Sequence, residues 1–593
     1  MTDILLKIDD SRRLTGKNFF SDKPGTVLDA LVSGVDKQTV VDLWLEQLDG
    51  LLTETDLSAS KRFYRLFEDG VSVGFTAPTD ALYAATEINE SAWNRMKRLM
   101  LSDSNYDLGP GPDLTNAELI QLIRDESNPQ LLSLIAAAEA NDIVYLVDDD
   151  AFSLGYGAGS ETWNINALPD LDTLDFTKYK TVPIALVTGT NGKSTSVRLS
   201  SQIIKQAGLR CGVTSTDFIR VGDTILDTGD YSGPGGARML LRHPDTEAAV
   251  LEVARGGLLR RGLPIPQVEV ALVTNIAEDH LGQYGINSIA ALTTAKMIVA
   301  KADCKSLVLN ADDENLVAFV DKSKAKAEAD RVSSASTSSV SIVDLAPLAS
   351  RLPERITWFS LDESNPVIIE ARSQQQNVCF VRNDQIIYAT PSDETNIIDI
   401  NDIPMTLQGA AVHNVQNALA AVALSKALDI DTRPIREALA QFRSDVTDNP
   451  GRGNLFEYQG AKLMLDFAHN VHSMNAMAST LRNMPAARKI LLLCMAGDRA
   501  DSDVRKMVHS AMTMQPDLVW VCELPNYLRG RELGSLSNVI ASAVRETGLI
   551  DSAIHFASDP LQGAEAIIKQ LQADDLVFIM ALSQRDDIAT LMS

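Results

Sequence analysis

The chain has 593 residues, a length that calls for several domains rather than one core. Hydrophobic residues make up 45% and charged residues 22%, the balance of a folded globular protein, which excludes wholesale disorder. The formal charge of −26, from 53 basic and 79 acidic residues, argues against a nucleic-acid partner gripped through its phosphates.

Cys211, Cys304, Cys379, Cys494 and Cys522 show no short CxxC spacing and read as reduced thiols in a cytoplasmic protein. The opening MTDILLKIDDSRRL has no apolar stretch behind its charges, and no run of about 18 apolar residues occurs. Neither export nor a membrane contact is expected.

In chain order, Val40–Leu52 and Asn116–Glu126 have the apolar spacing of helices, the second opened by a Thr115/Glu118 capping box after the breaker GPGPD. Asp142–Val147 reads as a strand, followed by SLGYG. No cluster of catalytic residue types occurs here, and residues 1–180 read as an α+β docking or scaffold domain. From Thr181 the pattern becomes strand, glycine turn, helix. Pro183–Thr188, Ala248–Ala254, Val270–Ile276 and Lys305–Ala311 are short apolar runs with helical stretches between them, as in a mostly parallel sheet covered by helices. The Ser-rich Ser333–Ser341 reads as a surface linker or insertion. Ile356–Leu361 opens a β-rich extension, and a helix over Asn414–Leu428 closes this central domain, 181–447. In 448–593, KLMLDFA, KILLLCMAG, LVWVCEL and LVFIMAL are buried-strand candidates of a Rossmann-like α/β domain. The fold class is therefore α/β, in three domains.

VTGTNGKST (Val187–Thr195) lies between an apolar strand and a helical stretch ending at Gly208. Gly189 and Gly192 let backbone N–H groups, with those of Thr190, Asn191 and Thr195, approach phosphate oxygens at a helix N-terminus. Lys193 would reach the terminal phosphates and the Ser194 hydroxyl would ligate Mg²⁺. Further along, LEVARGG puts Glu252 at a strand end, TNIAEDHLG puts Thr274, Asn275, Asp279 and His280 after the next strand, and TAKMIV carries Lys296. Taken singly, each has an ordinary alternative: a solvated Glu or His, or a Lys on a wet helix face. GAAVHNVQNALAA brings His413, Asn414 and Asn417, for which helix capping is the alternative. NPGRGNLFE brings Arg452, and LMLDFAHN brings Asp466, His469 and Asn470.

The short loop GTNGKST and these motifs in this order resemble the Mur ligase superfamily of ATP-dependent amide ligases. The resemblance implies an ATP-dependent carboxylate–amine ligase using two Mg²⁺ ions and an acyl-phosphate intermediate. Ser194 and Glu252 would hold one ion, and His280 the second together with Lys296 as a carbamylated lysine. His413 and Asn417, with Asn275, would serve the nucleotide. Arg452 would contact its phosphate or ribose and Asp466 its ribose, both arriving on domain closure, with His469 shaping the site of the acyl phosphate. Lys193, His280, Lys296 and His469 are thus the catalytic candidates.

Thr214–Arg238, Leu251–Leu263, Asn275–Gly282, Asn449–Glu457, Ala496–Arg505 and Leu528–Gly534 resemble the Mur-like C-terminal half of the cyanophycin synthetases. The stretch IVYLVDDDAFSLGYG resembles the end of their N-terminal domain. Only about thirty residues separate SLGYG from the phosphate loop, too few for the ATP-grasp domain those enzymes carry there. The resemblance implies amino-acid and carboxylate, peptide-like substrates, with arginine or lysine joined to an aspartyl side chain. Arg238 and Arg255 are candidate carboxylate contacts. A homo-oligomer is compatible with the sequence. Two other readings stay open: a non-catalytic partner of a full synthetase, and a P-loop phosphotransferase, which leaves Arg452 and DFAH unexplained.

Overall fold

The computed structural model describes residues 4–101, 114–279, 281–332, 340–342 and 352–592. Among them no helix is long and apolar enough to cross a membrane. The breaker GPGPD, His280 and residues 333–339 of the Ser-rich stretch lie outside the described residues.

The N-terminal part holds β1 (Leu5–Leu14), β2 (Gly25–Ser33), α1 (Lys37–Glu54), β3 (Arg62–Phe67), β4 (Gly70–Thr76), α2 (Leu82–Leu101), α3 (Asn116–Glu126) and α4 (Pro129–Ala140). β1–β4 form an antiparallel sheet in the order β1-β2-β4-β3, against which α1 and α2 bury Trp44 and Trp93. Trp44 Nε1 donates to Asn89 Oδ1 at 3.1 Å, and Asn89 Nδ2 to the Val73 carbonyl at 3.1 Å. The Trp44 indole and the Asn89 amide are thus paired, as desolvation demands, whereas Trp93 Nε1 is buried with no partner among the described residues. The Thr115/Glu118 capping box opens α3 as expected. A small antiparallel sheet follows, of β5 (Tyr145–Val147), β6 (Ala151–Leu154) and β7 (Glu161–Asn164). β5 begins later than the expected Asp142. Asp142 takes φ of 56° and the Ile143 N–H closes the end of α4 on the Ala138 carbonyl, so the chain turns before it extends.

The central sheet is built from β8 (Ile184–Thr188), α5 (Lys193–Gln206), β9 (Cys211–Thr214), β10 (Phe218–Val221), β11 (Thr224–Thr228), α6 (Pro234–Leu241), β12 (Ala248–Glu252), α7 (Arg255–Arg261), β13 (Gln267–Val273), α8 (Ile289–Lys296), β14 (Asp303–Asn310) and α9 (Glu314–Val332). Next come β15 (Val340–Ile342), β16 (Ile356–Ser360), α10 (Pro366–Ser373), β17 (Val378–Arg382), β18 (Gln385–Ala389), β19 (Glu394–Asp399), α11 (Val412–Ala427) and α12 (Thr432–Gln441). Eleven strands run in the order β11-β10-β9-β12-β8-β13-β14-β16-β17-β18-β19. The seven from β9 to β17 are parallel, with antiparallel hairpins at both margins. β8 is buried at all five positions, and helices cover both faces. From β8 the chain winds to β9 and β12 on one side, then to β13, β14 and β16 on the other. The carboxyl end of β8 is therefore a topological switch point, where open α/β sheets place their ligands.

Of the Ser-rich stretch Ser333–Ser341, expected to be a surface linker or insertion, only the end lies within the described residues. Val340–Ile342 forms β15, paired in parallel with β3 as a fifth strand of the N-terminal sheet.

The C-terminal sheet holds β20 (Asn454–Tyr458), β21 (Ala461–Asp466), α13 (Val471–Asn483), β22 (Arg488–Leu493), α14 (Asp501–Met512), β23 (Leu518–Val521), α15 (Ser535–Glu546), β24 (Ile554–Phe556), α16 (Pro560–Ile568), β25 (Asp575–Met580) and α17 (Arg585–Met592). Its order is β20-β21-β25-β22-β23-β24, parallel except for β20. The carboxyl end of β21 faces the carboxyl end of β8 across a cleft.

Candidate active site

The cleft, of about 640 Å³, lies between the central and C-terminal sheets. Its central wall is the turn after β8. Gly189 and Gly192 take φ of 144° and 81°. A Cβ at Gly189 would stand 2.0 Å from Thr274 Oγ1, and one at Gly192 2.2 Å from Asn417 Oδ1. Both positions therefore exclude a side chain for space as well as for conformation. The turn is tied to the end of β13: Thr190 N–H donates to the Asn275 carbonyl at 2.8 Å and Asn191 N–H to Asn275 Oδ1 at 3.0 Å. Asn275 Nδ2 returns a bond to the Asn191 carbonyl at 3.0 Å, and Thr274 Oγ1 another at 2.6 Å. Lys193 folds over the turn, its Nζ donating to the Thr190 carbonyl at 3.0 Å. The Thr190 and Asn191 N–H groups, expected to meet phosphate, are thus spent on Asn275 and fix the turn, which leaves the N-terminus of α5 as the anion-attracting end.

Beside the turn, Ser194 Oγ donates to Glu252 Oε1 at 3.2 Å and lies 3.5 Å from Thr216 Oγ1. Glu252 is 2% exposed, and its Oε2 is buried with no hydrogen-bond partner among the described residues. A buried carboxylate oxygen next to two hydroxyls is an all-oxygen donor set with unspent capacity, which fits a hard divalent cation. Lys296 closes the floor, its buried Nζ donating to the Gly189 carbonyl at 2.7 Å. Burial, reinforced by the nearby Lys193 charge, pushes this amine well below the usual lysine range, towards its neutral form.

The C-terminal wall comes from β20, β21 and the segments around them. Arg452 stands 4.7 Å from the Phe467 ring centroid, and its buried Nε has no partner among the described residues. Asp466 ends β21, and burial raises its carboxyl to about 6 despite Arg452. His469 Nε2 lies 3.8 Å from Asp279 Oδ2, and its Nδ1 3.1 Å from the Phe467 carbonyl. The two walls meet at Asn191. Its Nδ2 donates to Asn470 Oδ1 at 3.2 Å, and Asn470 Nδ2 donates back to Asn191 Oδ1 at 2.9 Å. His472 Nδ1 lies 2.9 Å from Asn191 Nδ2; burial lowers the His472 pKa and so favours the neutral ring, one tautomer of which accepts from that amide. His413 sits nearby at the start of α11, and burial lowers it to about 4.

Residues 187–425 match the family model of the Mur ligase middle domain, and residues 451–582 that of the Mur ligase glutamate ligase domain. These are the two walls of the cleft. The chain belongs to the Mur ligase family. A cyanophycin synthetase from a Nostoc species is 32% identical over 402 residues, 67% of this chain and 41% of that protein. A UDP-N-acetylmuramoylalanine–D-glutamate ligase from Koribacter versatilis is 26% identical over 263 residues, 44% of this chain and 44% of that protein. The chain thus matches about two fifths of the length of the cyanophycin synthetases. A solved bifunctional folylpolyglutamate synthase/dihydrofolate synthase, with Mn, AMPPNP and L-glutamate bound, is 17% identical over 69% of this chain and 88% of that one, with a TM-score of 0.46. The first 186 residues lie outside both Mur ligase models.

Within these Mur ligase domains, Thr190–Thr195, Glu252, Asn275, Lys296, His413, Asn417, Arg452, Asp466 and His469 all line the one cleft, with Gly189 beneath it. Arg255 also lines it, its Nη2 donating to Gln283 Oε1 at 2.5 Å. Arg238 does not: it lines a second cavity of about 920 Å³ against the N-terminal domain, 3.9 Å from Asp148. Sequence reasoning missed Thr216, Asp217, His472, Asn449 and Arg585. Thr216 and Asp217 had a signal, since they follow a parallel strand at the sheet end that carries the phosphate loop. Arg585 had none.

Proposed function

We propose that this Mur ligase is an ATP- and Mg²⁺-dependent ligase that joins a substrate carboxylate to an amine through an acyl phosphate. The observation that carries the reading is one cleft holding a preformed phosphate turn, the buried Ser194–Glu252 oxygen set with its unspent Oε2, and Arg452 and Asp466 opposite. A triphosphate and a carboxylate repel each other, and Mg²⁺ would neutralise that repulsion. Ser194 and Glu252 would hold one ion. His280 and Lys296 are proposed for the second, and the neutral form of Lys296 is the one that adds carbon dioxide to become a carbamate.

The turn and Lys193 would steady the phosphates as the carboxylate attacks, with fixed donors supplying most of the rate. His413 and Asn417 would hold the base side, and Asn275 would serve the nucleotide by bracing the phosphate turn. Arg452 would take phosphate or ribose and Asp466 the ribose hydroxyls, with His469 bordering the acyl group. Arg255 is proposed as a contact for the carboxylate substrate.

The finer reading is arginine or lysine joined to an aspartyl side chain, in the cytoplasm; the similarity to cyanophycin synthetases supports it. The test is ADP release from amino acids paired with β-aspartyl, α-peptidyl and polyaspartate acceptors, with product mass and positional isotope exchange in ATP. The expectation is turnover with arginine or lysine and an aspartyl acceptor, and exchange that depends on the carboxylate. Turnover with other carboxylates alone would overturn the finer reading. ADP release without amide product would favour a phosphotransferase.

A further inference from the structure

Beside the phosphate turn, a chain of polar contacts crosses from the central to the C-terminal domain. Arg198, on α5 and 2% exposed, donates from Nη1 to Asn449 Oδ1 at 2.9 Å and from Nη2 to Asp217 Oδ2. The other oxygen of that carboxylate, Asp217 Oδ1, accepts from Arg585 Nη2 at 2.9 Å, at the first residue of α17. The fully buried Asn449 also donates from Nδ2 to Thr195 Oγ1 at 3.2 Å. One carboxylate therefore stands between an arginine of the phosphate-loop helix and an arginine of the opposite domain. Burial alone would raise its pKa, but Arg198, Arg585 and Arg452 together hold it below the usual carboxylate range.

Burying ions costs desolvation, so such a bridge is a poor source of stability and a good source of register. Arg585 also governs what lies behind it. It passes over Gly451, where a Cβ would stand 2.7 Å from Arg585 Cδ, and lies 5.6 Å from the Phe467 ring that Arg452 also covers. Phe467 directly follows Asp466. The position of Arg585 is thus transmitted to both groups proposed to meet the nucleotide.

We infer that Asp217 is a positioning residue: by bridging Arg198 and Arg585 it sets the C-terminal domain at the angle that brings Arg452 and Asp466 over the phosphate turn. Its consequence for turnover rests on the ligase reading; its consequence for domain angle does not.

The experiment compares full-length wild type, Arg585→Gln, Arg585→Lys, Asp217→Asn and the double variant D217N/R585Q. It reads ADP release, melting temperature, and radius of gyration by solution scattering with Mg²⁺ and a non-hydrolysable ATP analogue. R585Q should lower kcat by at least about tenfold with an unchanged melting temperature and a larger radius of gyration. R585K should recover part of the lost kcat, and the double variant should be no worse than D217N, since both changes cut one bridge. If D217N strands the buried Arg198 charge and fails to fold, R585Q carries the test alone. Wild-type kcat and radius in R585Q overturn the inference, as does a loss of activity that merely follows melting temperature. If wild type turns over no substrate, the ligase reading fails and the scattering comparison still decides the bridge.

Discussion

On the central wall of the cleft, seven consecutive residues from Gly189 to Thr195 bring the proposed phosphate donors together, whereas the C-terminal wall collects Arg452, Asp466, His469, His472 and Arg585 from three separate segments. The first wall is held by main-chain bonds to Asn275 and by the absence of side chains at two glycines. The second is held to the first by a few polar side chains, chiefly the Asn191–Asn470 pair and the Asp217 bridge. Deleting a group from the central wall should therefore remove chemistry without moving anything. Deleting a tie to the C-terminal wall should leave the chemistry in place and misalign it.

The sharpest way to break this contrast is Lys193→Ala. Among the described residues its ammonium bonds only to the turn it crosses, so ADP release should fall by at least about a thousandfold with no change in melting temperature. Turnover near the wild-type rate would remove the turn from the mechanism. Next, Glu252→Gln should cost roughly a hundredfold in kcat and raise the Mg²⁺ concentration needed for half-maximal rate, since an amide replaces the anionic ligand. An unaltered Mg²⁺ titration would take Glu252 out of the metal site.

For the side chains that tie the two walls together, Asn191 of the central wall among them, the effects should be smaller. Asn191→Ala should lower kcat about tenfold by cutting the reciprocal amide pair, and Asn470→Ala should do the same while also costing about 1 kcal/mol in melting experiments, because Asn470 caps α13. Equal melting temperatures for the two variants would show that the cap contributes nothing. The last effect concerns pH. Burial lifts Asp466 from 3.8 to about 6, so its carboxyl is protonated in the folded chain at pH values where the unfolded chain already ionises. The stability from this shift is present below about pH 4 and lost as pH rises through 6. Asp466→Asn should therefore gain up to about 2 kcal/mol at pH 8 and almost nothing at pH 4. It should also weaken nucleotide binding by calorimetry. A pH-independent gain would show that burial of the charge is not the cause.

The parallel sheets were legible because their strands are continuous apolar runs, as at Ile184–Thr188 and Asp575–Met580, both buried throughout. β1 was not legible: LLKIDDSRRL looks solvated, yet Arg12 is 6% exposed, paired with the 1% exposed Asp29 at 2.7 Å. Pairing across strands hides a charge that the local pattern shows as surface.

By itself the sequence determined everything that depends on neighbours along the chain: the strand–turn–helix around Gly189–Thr195, the cap at Thr115, and the strand ends that carry Glu252, Asn275 and Asp466. These follow from backbone conformation and strand and helix patterns within a few residues, which residue type controls directly, even where distant partners such as Asn275 then brace them. Only the tertiary structure decided that Arg238 would line a second cavity instead, that Val340–Ile342 would join the N-terminal sheet, and that Asp217 would meet Arg585 across 368 positions. Such meetings depend on how whole sheets pack, and no local pattern of residue types encodes the distance between two surfaces.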